Sequence, residues 1–178
     1  MINWNSLLED MVPRPCHDRP FVCEGFPSDS NLIVIGENPA TPMTEDWWNY
    51  WSPNSGFNYE KFVADYRNQR AALGKKISNT RRRLNRIREN GLRCVETNAF
   101  RNERLDGKGD GTLNYDMLNV LIEHMPKLTA VLAHGRIASD YLSLAKIPDG
   151  VHQYETRHFR MERYSRIDDI CAEILSRG

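Results

Sequence analysis

Four short strand-like runs, at residues 32–35, 92–97, 128–133 and 151–156, are separated by amphipathic stretches long enough to be helices. This alternation constrains the fold more than any other feature of the chain. The first run, Leu32-Ile33-Val34-Ile35, is β-branched in three of its four positions. Such a composition suits a strand buried on both faces, as in a parallel sheet. Strands alternating with helices predict right-handed crossovers and helices on both sides of the sheet. The predicted fold class is therefore α/β: three αβα layers around a central four-stranded, mostly parallel sheet. The chain has 178 residues, enough for one domain with a substantial core. It shows no internal repeat or linker, so the prediction is a single domain over residues 1–178.

The helical stripes can be followed in order. Trp4, Leu7, Leu8 and Met11 have helical spacing behind a capping Asn3. A short helix is expected near residues 46–51, within the aromatic cluster Trp47, Trp48, Tyr50 and Trp51, and a turn at residues 52–56. Phe62, Val63, Tyr66 and Leu73 mark a longer helix, and Ile77, Leu84 and Ile87 another whose remaining faces are basic. Gly91 is placed to end the latter. Further stripes are Leu118, Leu121, Ile122 and Met125, then Ile137, Ala138, Tyr141, Leu142 and Ala145. A last helix is predicted behind a capping box of Ser165 and Asp168, with Ile167, Ile170, Cys171, Ile174 and Leu175 buried.

Composition narrows the function classes. Hydrophobic residues make up 40% and charged residues 27%, as in a globular chain. The formal net charge is +0, so any nucleic-acid affinity must come from a local patch. No apolar run reaches membrane-spanning length, and the first residues do not resemble a secretory signal. The expectation is an intracellular monomer with no membrane partner. Cys16, Cys23, Cys94 and Cys171 contain no C-x-x-C pair and read as reduced thiols, with no metal and no cofactor expected. The sequence from Asp106 to Gly111 resembles the start of a calcium loop. However, Lys108 and Met117 stand where oxygen ligands are required, so it reads as a glycine-rich loop.

Each predicted strand ends in a polar residue: Gly36-Glu37-Asn38-Pro39, Asn98-Ala99, His134-Gly135 and Arg157-His158. In open α/β sheets the carboxyl ends of the strands are where ligands bind. Gly36 permits close backbone approach, and Pro39 holds Asn38 in extended or turn geometry.

These residues resemble the motifs of the uracil-DNA glycosylase superfamily, in particular its mismatch-specific and single-strand-selective branches. Gly36-Glu37-Asn38-Pro39 matches the family's first motif, with Asn in the third position. Glu96-Thr97-Asn98-Ala99 is similar to the strand whose terminal Asn reads the base. His134-Gly135-Arg136-Ile137-Ala138 resembles the third strand end. The last motif, ordinarily His-Pro-Ser or Asn-Pro-Ser, keeps only His158, in His158-Phe159-Arg160. The resemblance implies the fold predicted above and hydrolysis of the N-glycosidic bond of uracil, or a related deaminated or mismatched base, in DNA. The base is flipped out and water attacks C1′.

The resemblance also implies roles. Asn38 positions the water, Glu37 or Asp46 supplies base character, and His158 donates to the base carbonyl as it gains charge. Asn98 pairs with the base edge through an amide that both donates and accepts. Gly36, Pro39 and Ala40 shape the pocket, the small Ala40 relaxing exclusion of a methyl group. Trp47, Trp48, Tyr50 or Trp51 stacks on the base, and His134 supports the strand end. Met161 or Phe159 is the candidate wedge into the duplex. Asn38 has the ordinary reading of a turn residue before proline, Glu37 that of a solvated loop acid, Asn98 that of a strand-end cap, His158 that of a surface histidine, and two of the four aromatics that of core. Lys75, Lys76, Arg81, Arg82, Arg83, Arg86 and Arg88 read as phosphate contacts to single- or double-stranded, base-damaged DNA, or as a solvated helix face. The alternative function is a non-catalytic module of the same fold that binds a nucleobase or nucleic acid.

Overall fold

A computed structural model describes residues 2–39, 43–100 and 114–177. The elements run α1 (Trp4–Met11), β1 (Leu32–Gly36), β2 (Trp51–Ser52), β3 (Gly56–Phe57), α2 (Tyr59–Ala72), α3 (Asn79–Glu89) and β4 (Cys94–Asn98). They continue with α4 (Tyr115–His124), β5 (Ala130–His134), α5 (Arg136–Leu142), β6 (His152–Thr156) and α6 (Tyr164–Arg177). Single 3-10 turns lie at Pro27–Asp29, Trp47–Tyr50 and Phe159–Met161. Ala40 and the glycine-rich loop lie outside the described residues. No helix among the described residues is long and apolar enough to cross a membrane.

The main sheet has the order β4-β1-β5-β6, and every neighbouring pair in it is parallel. β1 lies inside the sheet and all five of its residues are buried, as its unbroken apolar sequence requires. The β4 edge is covered by Val22, whose N–H donates to Glu96 O at 2.8 Å and whose carbonyl accepts from Glu96 N at 2.7 Å. β2 and β3 form a separate antiparallel pair.

Side chains alternate across the sheet and feed two cores. Ile33, Ile35, Val95, Val131 and Ala133 pack with α1, α4, α5 and the tryptophan cluster. Leu32, Val34, Cys94, Ala130 and Leu132 pack with Leu84 and Ile87 of α3 and Ile167, Ile170 and Ile174 of α6. Each fully buried aliphatic side chain contributes about 1.5–3 kcal/mol. The helices begin where side chains satisfy their first N–H groups. Asn3 accepts from Ser6 N, Asn58 from Lys61 N and Ser78 from Arg81 N, caps worth about 1 kcal/mol each.

Several sequence expectations need correction. α6 begins at Tyr164, so Ser165 lies inside the helix, and the Asp168 carboxylate bonds Arg86 and Asn90 instead of completing a capping box. Leu175 is 49% exposed and Leu73 62%, because each lies at a helix end where the stripe rotates off the buried face. β4 and β5 start two residues later than expected and extend one residue further, to Asn98 and His134. The polar strand-end residues are thereby held inside the ladder.

Candidate functional site

The register of the sheet builds the site. Gly36 lies two residues after Val34, Asn98 two after Glu96, and His134 two after Leu132, so all three sit on the face covered by α3 and α6. Gly36 is paired across the ladder with Asn98. A Cβ on Gly36 would stand 2.8 Å from Asn98 Oδ1 and 3.0 Å from His134 Nε2. Only glycine lets this amide and this imidazole converge. Ala99 N donates to Gly36 O at 2.9 Å and Phe100 N to Glu37 O at 3.0 Å, holding the Glu37-Asn38 turn against the end of β4. Asn114, fully buried, donates to Thr97 Oγ1, Pro20 O and Asn98 O and locks that strand end from the opposite face.

A cavity of about 140 Å³ opens at this rim. Glu37, Asn38, Pro39, Asn98, His134 and His158 line it together with Gly36. Its other walls are Arg19, Tyr66, Arg70, Ser78, Thr80, Arg81 and Glu96. Sites for drug-sized ligands occupy roughly 300–1,000 Å³, so this hollow suits one small ring rather than a large cofactor.

The two histidines are held neutral in different ways. His134 is 5% exposed and stacks on Phe159, with ring centres 4.1 Å apart. Burial, then the neighbouring His158, pushes its pKa down to about 3. His158 meets His134 edge-on at 5.1 Å. Burial and then Arg160 lower its pKa, with Glu37 opposing. His158 Nδ1 accepts from Arg160 N at 3.2 Å, which assigns the proton of the neutral ring to Nε2. That ring is therefore a hydrogen-bond donor on its other nitrogen.

Glu96 is the other charged centre. Its Oε1 accepts from Arg81 Nη1 at 2.6 Å and from Arg88 Nη1 at 2.7 Å. Burial works against its charge, but the two guanidiniums hold the carboxyl below its ordinary range. A carboxylate in the middle of an apolar strand needs such partners. Sequence reasoning left Glu96 out of the site although that signal was present. It also missed the contributions of Arg19, Tyr66, Arg70, Ser78 and Thr80.

Other expected site residues lie elsewhere. Trp47 and Trp48 are buried in the opposite core, their indole N–H groups donating to Phe21 O and Pro13 O, and neither lines the cavity. Asp46 Oδ1 accepts from Trp48 N and Cys16 N, a capping role away from the cavity. Phe159 is fully buried, whereas Met161 is 69% exposed. Arg81 is buried against Glu96 and faces the cavity, Arg83 donates to Glu162 O, and Arg86 pairs with Asp168. Lys75, Lys76 and Arg82 are exposed. The sequence could not separate these cases, because an arginine on a helix reads the same whether its partner is a phosphate or a distant carboxylate. Among the described residues, no three His, Cys, Asp or Glu side chains are gathered as a metal ion would need.

No family model matches the chain. No curated protein matches it either. One similar solved structure is the solution NMR structure of a protein from Methanosarcina acetivorans, provisionally described as a uracil DNA glycosylase. The two are 16% identical, the match covers 85% of this chain and 98% of that one, and the TM-score is 0.41. A likeness of that degree carries no argument about activity; the α/β fold with its parallel sheet stands on the coordinates described above.

Proposed function

We propose that the cavity binds a flipped nucleobase and that the protein hydrolyses the N-glycosidic bond of uracil or a related deaminated base in DNA. The observation that supports this most is the convergence of Gly36, Asn98, His134 and His158 with the Glu37-Asn38 turn around one hollow of single-ring size. In this reading Asn98 pairs with the edge of the base. The neutral His158 donates through Nε2 to a base carbonyl as negative charge develops on the leaving group. Asn38 places the water for attack at C1′ and Glu37 draws its proton. Pro39 forms the wall beside the ring. Met161, exposed on the turn that follows His158, is the side chain placed to fill the gap in the duplex.

Cleavage of a labelled, uracil-containing oligonucleotide tests the proposal. Asn38→Ala is expected to lower the single-turnover rate about 10²-fold or more while leaving oligonucleotide affinity within about threefold, since the water-placing group acts mainly in the transition state. Equal cleavage by wild type and Asn38→Ala would remove the mechanism. Tight binding with no cleavage by either would leave a base-binding module of the same fold.

A further inference from the structure

The rim accounts for part of the cavity, and the remaining wall has a different character. Arg19, Arg70 and Arg81 all line it. The inner carboxylate there, Glu96, shares one oxygen between Arg81 and Arg88. One negative charge thus faces two guanidiniums, with Arg19 close enough to feel both Arg81 and Glu96. Arg81 is 4% exposed, and its Nε makes no hydrogen bond within the protein. The Arg19 and Arg81 guanidiniums stand over the same Phe62 ring, at 5.3 and 5.5 Å. Two like charges gathered on one ring repel, and Arg19 is drawn down to about 10 by burial and then by Arg81. The same wall holds Ser78 and Thr80, at the start of the eleven-residue α3, whose dipole favours negative charge there.

We propose that this arginine wall is an anion subsite, and that the preferred ligand is a six-membered heterocycle carrying negative charge on the edge away from Asn98. The proposal rests on the reading of the rim as a base-binding site. Asn98 and Glu96 are two residues apart on one face of β4, about 7 Å along the strand. A single ring held at Asn98 therefore reaches the level of Arg81. The 140 Å³ hollow is too small for ring, sugar and phosphate together, so the charge belongs to the ring. An anion between Arg19 and Arg81 relieves their repulsion.

The test is a calorimetric titration of the full chain at pH 7 with uracil and thymine, which are neutral, and with barbiturate and orotate, which are anionic. The anions are expected to bind about tenfold tighter than uracil at low salt, a charge-assisted hydrogen bond being roughly twice as strong as a neutral one. The preference is expected to shrink in Arg19→Gln, and in Arg70→Gln should the first variant fail to fold. Equal affinity for neutral and anionic rings, or a preference unchanged in both variants, would overturn the subsite. Oligonucleotide cleavage measured in parallel separates the two ideas. Cleavage without an anion preference removes the subsite alone, and an anion preference without cleavage removes the base-excision reading alone.

Discussion

At the scale of single residues, the energetic tension of the site is concentrated in His134. Its ring is sandwiched by packing, its Nδ1 makes no hydrogen bond within the protein, and burial followed by His158 brings its pKa to about 3. In the unfolded chain a histidine titrates near 6.5. Between those two values the unfolded state holds more protons than the folded one, so stability falls as pH drops through this window. From pH 7 to pH 4 the expected loss is about 3 kcal/mol, at roughly 1.4 kcal/mol per pH unit. Urea unfolding at the two pH values should show a loss larger by that amount in the wild type than in His134→Phe, which keeps the ring packing and removes the titrating group; His158, whose pKa is also lowered by burial, titrates in both proteins. Glu96, whose pKa is depressed, keeps its contribution above the ordinary carboxylate range and loses it only at lower pH. It is present in both proteins and cancels in the comparison. Equal losses in the two proteins would mean that the imidazole is not held neutral by its surroundings.

At the scale of elements, α3 is a clamp. Arg83 donates through Nε and Nη2 to Glu162 O at 3.1 and 2.8 Å and stacks on Tyr164. Arg86 grips Asp168 with two bonds of 2.7 and 3.0 Å, which, with Asn90, hold that carboxyl at about 2. These bonds tie α3 to the segment that leads from His158 into α6. The basic residues of this region therefore divide into internal clamps and the exposed Lys75, Lys76 and Arg82. Only the exposed three are free to release counterions on DNA. Replacing all three by Ala is expected to flatten the plot of log affinity against log salt by about 2–3 on duplex DNA, at roughly 0.9 per phosphate contact. Arg83→Ala is expected to leave that slope unchanged and to reduce cleavage by loosening His158. A slope that changes with Arg83 and not with the exposed three would reverse the assignment.

At the scale of the whole molecule, one sheet serves two cores. β1 alternates Leu32 and Val34 into one and Ile33 and Ile35 into the other. Neither core keeps its wall without the sheet, so the described residues are proposed to unfold as one unit. All four tryptophans lie in the core opposite Leu132. Leu132→Ala is expected to cost about 2–5 kcal/mol and to move the tryptophan-fluorescence and far-UV circular dichroism transitions together. Fluorescence that stays at the wild-type midpoint while dichroism shifts would show two independent units.

What the sequence determined by itself is what local pattern can carry. Period-two and helical repeats name the strands and helices, and the break at Gly36-Glu37-Asn38-Pro39 marks the strand end beside which Asn98 and His134 gather. Helix caps such as Asn3 were equally legible, because their partners lie three residues away. The tertiary structure alone decided what each ambiguous side chain does. A tryptophan is large and apolar with one polar edge, so Trp47 and Trp48 suit a base stack or a core equally well until Phe21 O and Pro13 O are found within reach. An arginine is no more informative. Arg81 became a buried wall of the cavity because the strand fifteen residues on places Glu96 against it. The strength of a charge or a hydrogen bond depends on the partner it meets and the water it loses, and distant segments settle both only when the sheet closes.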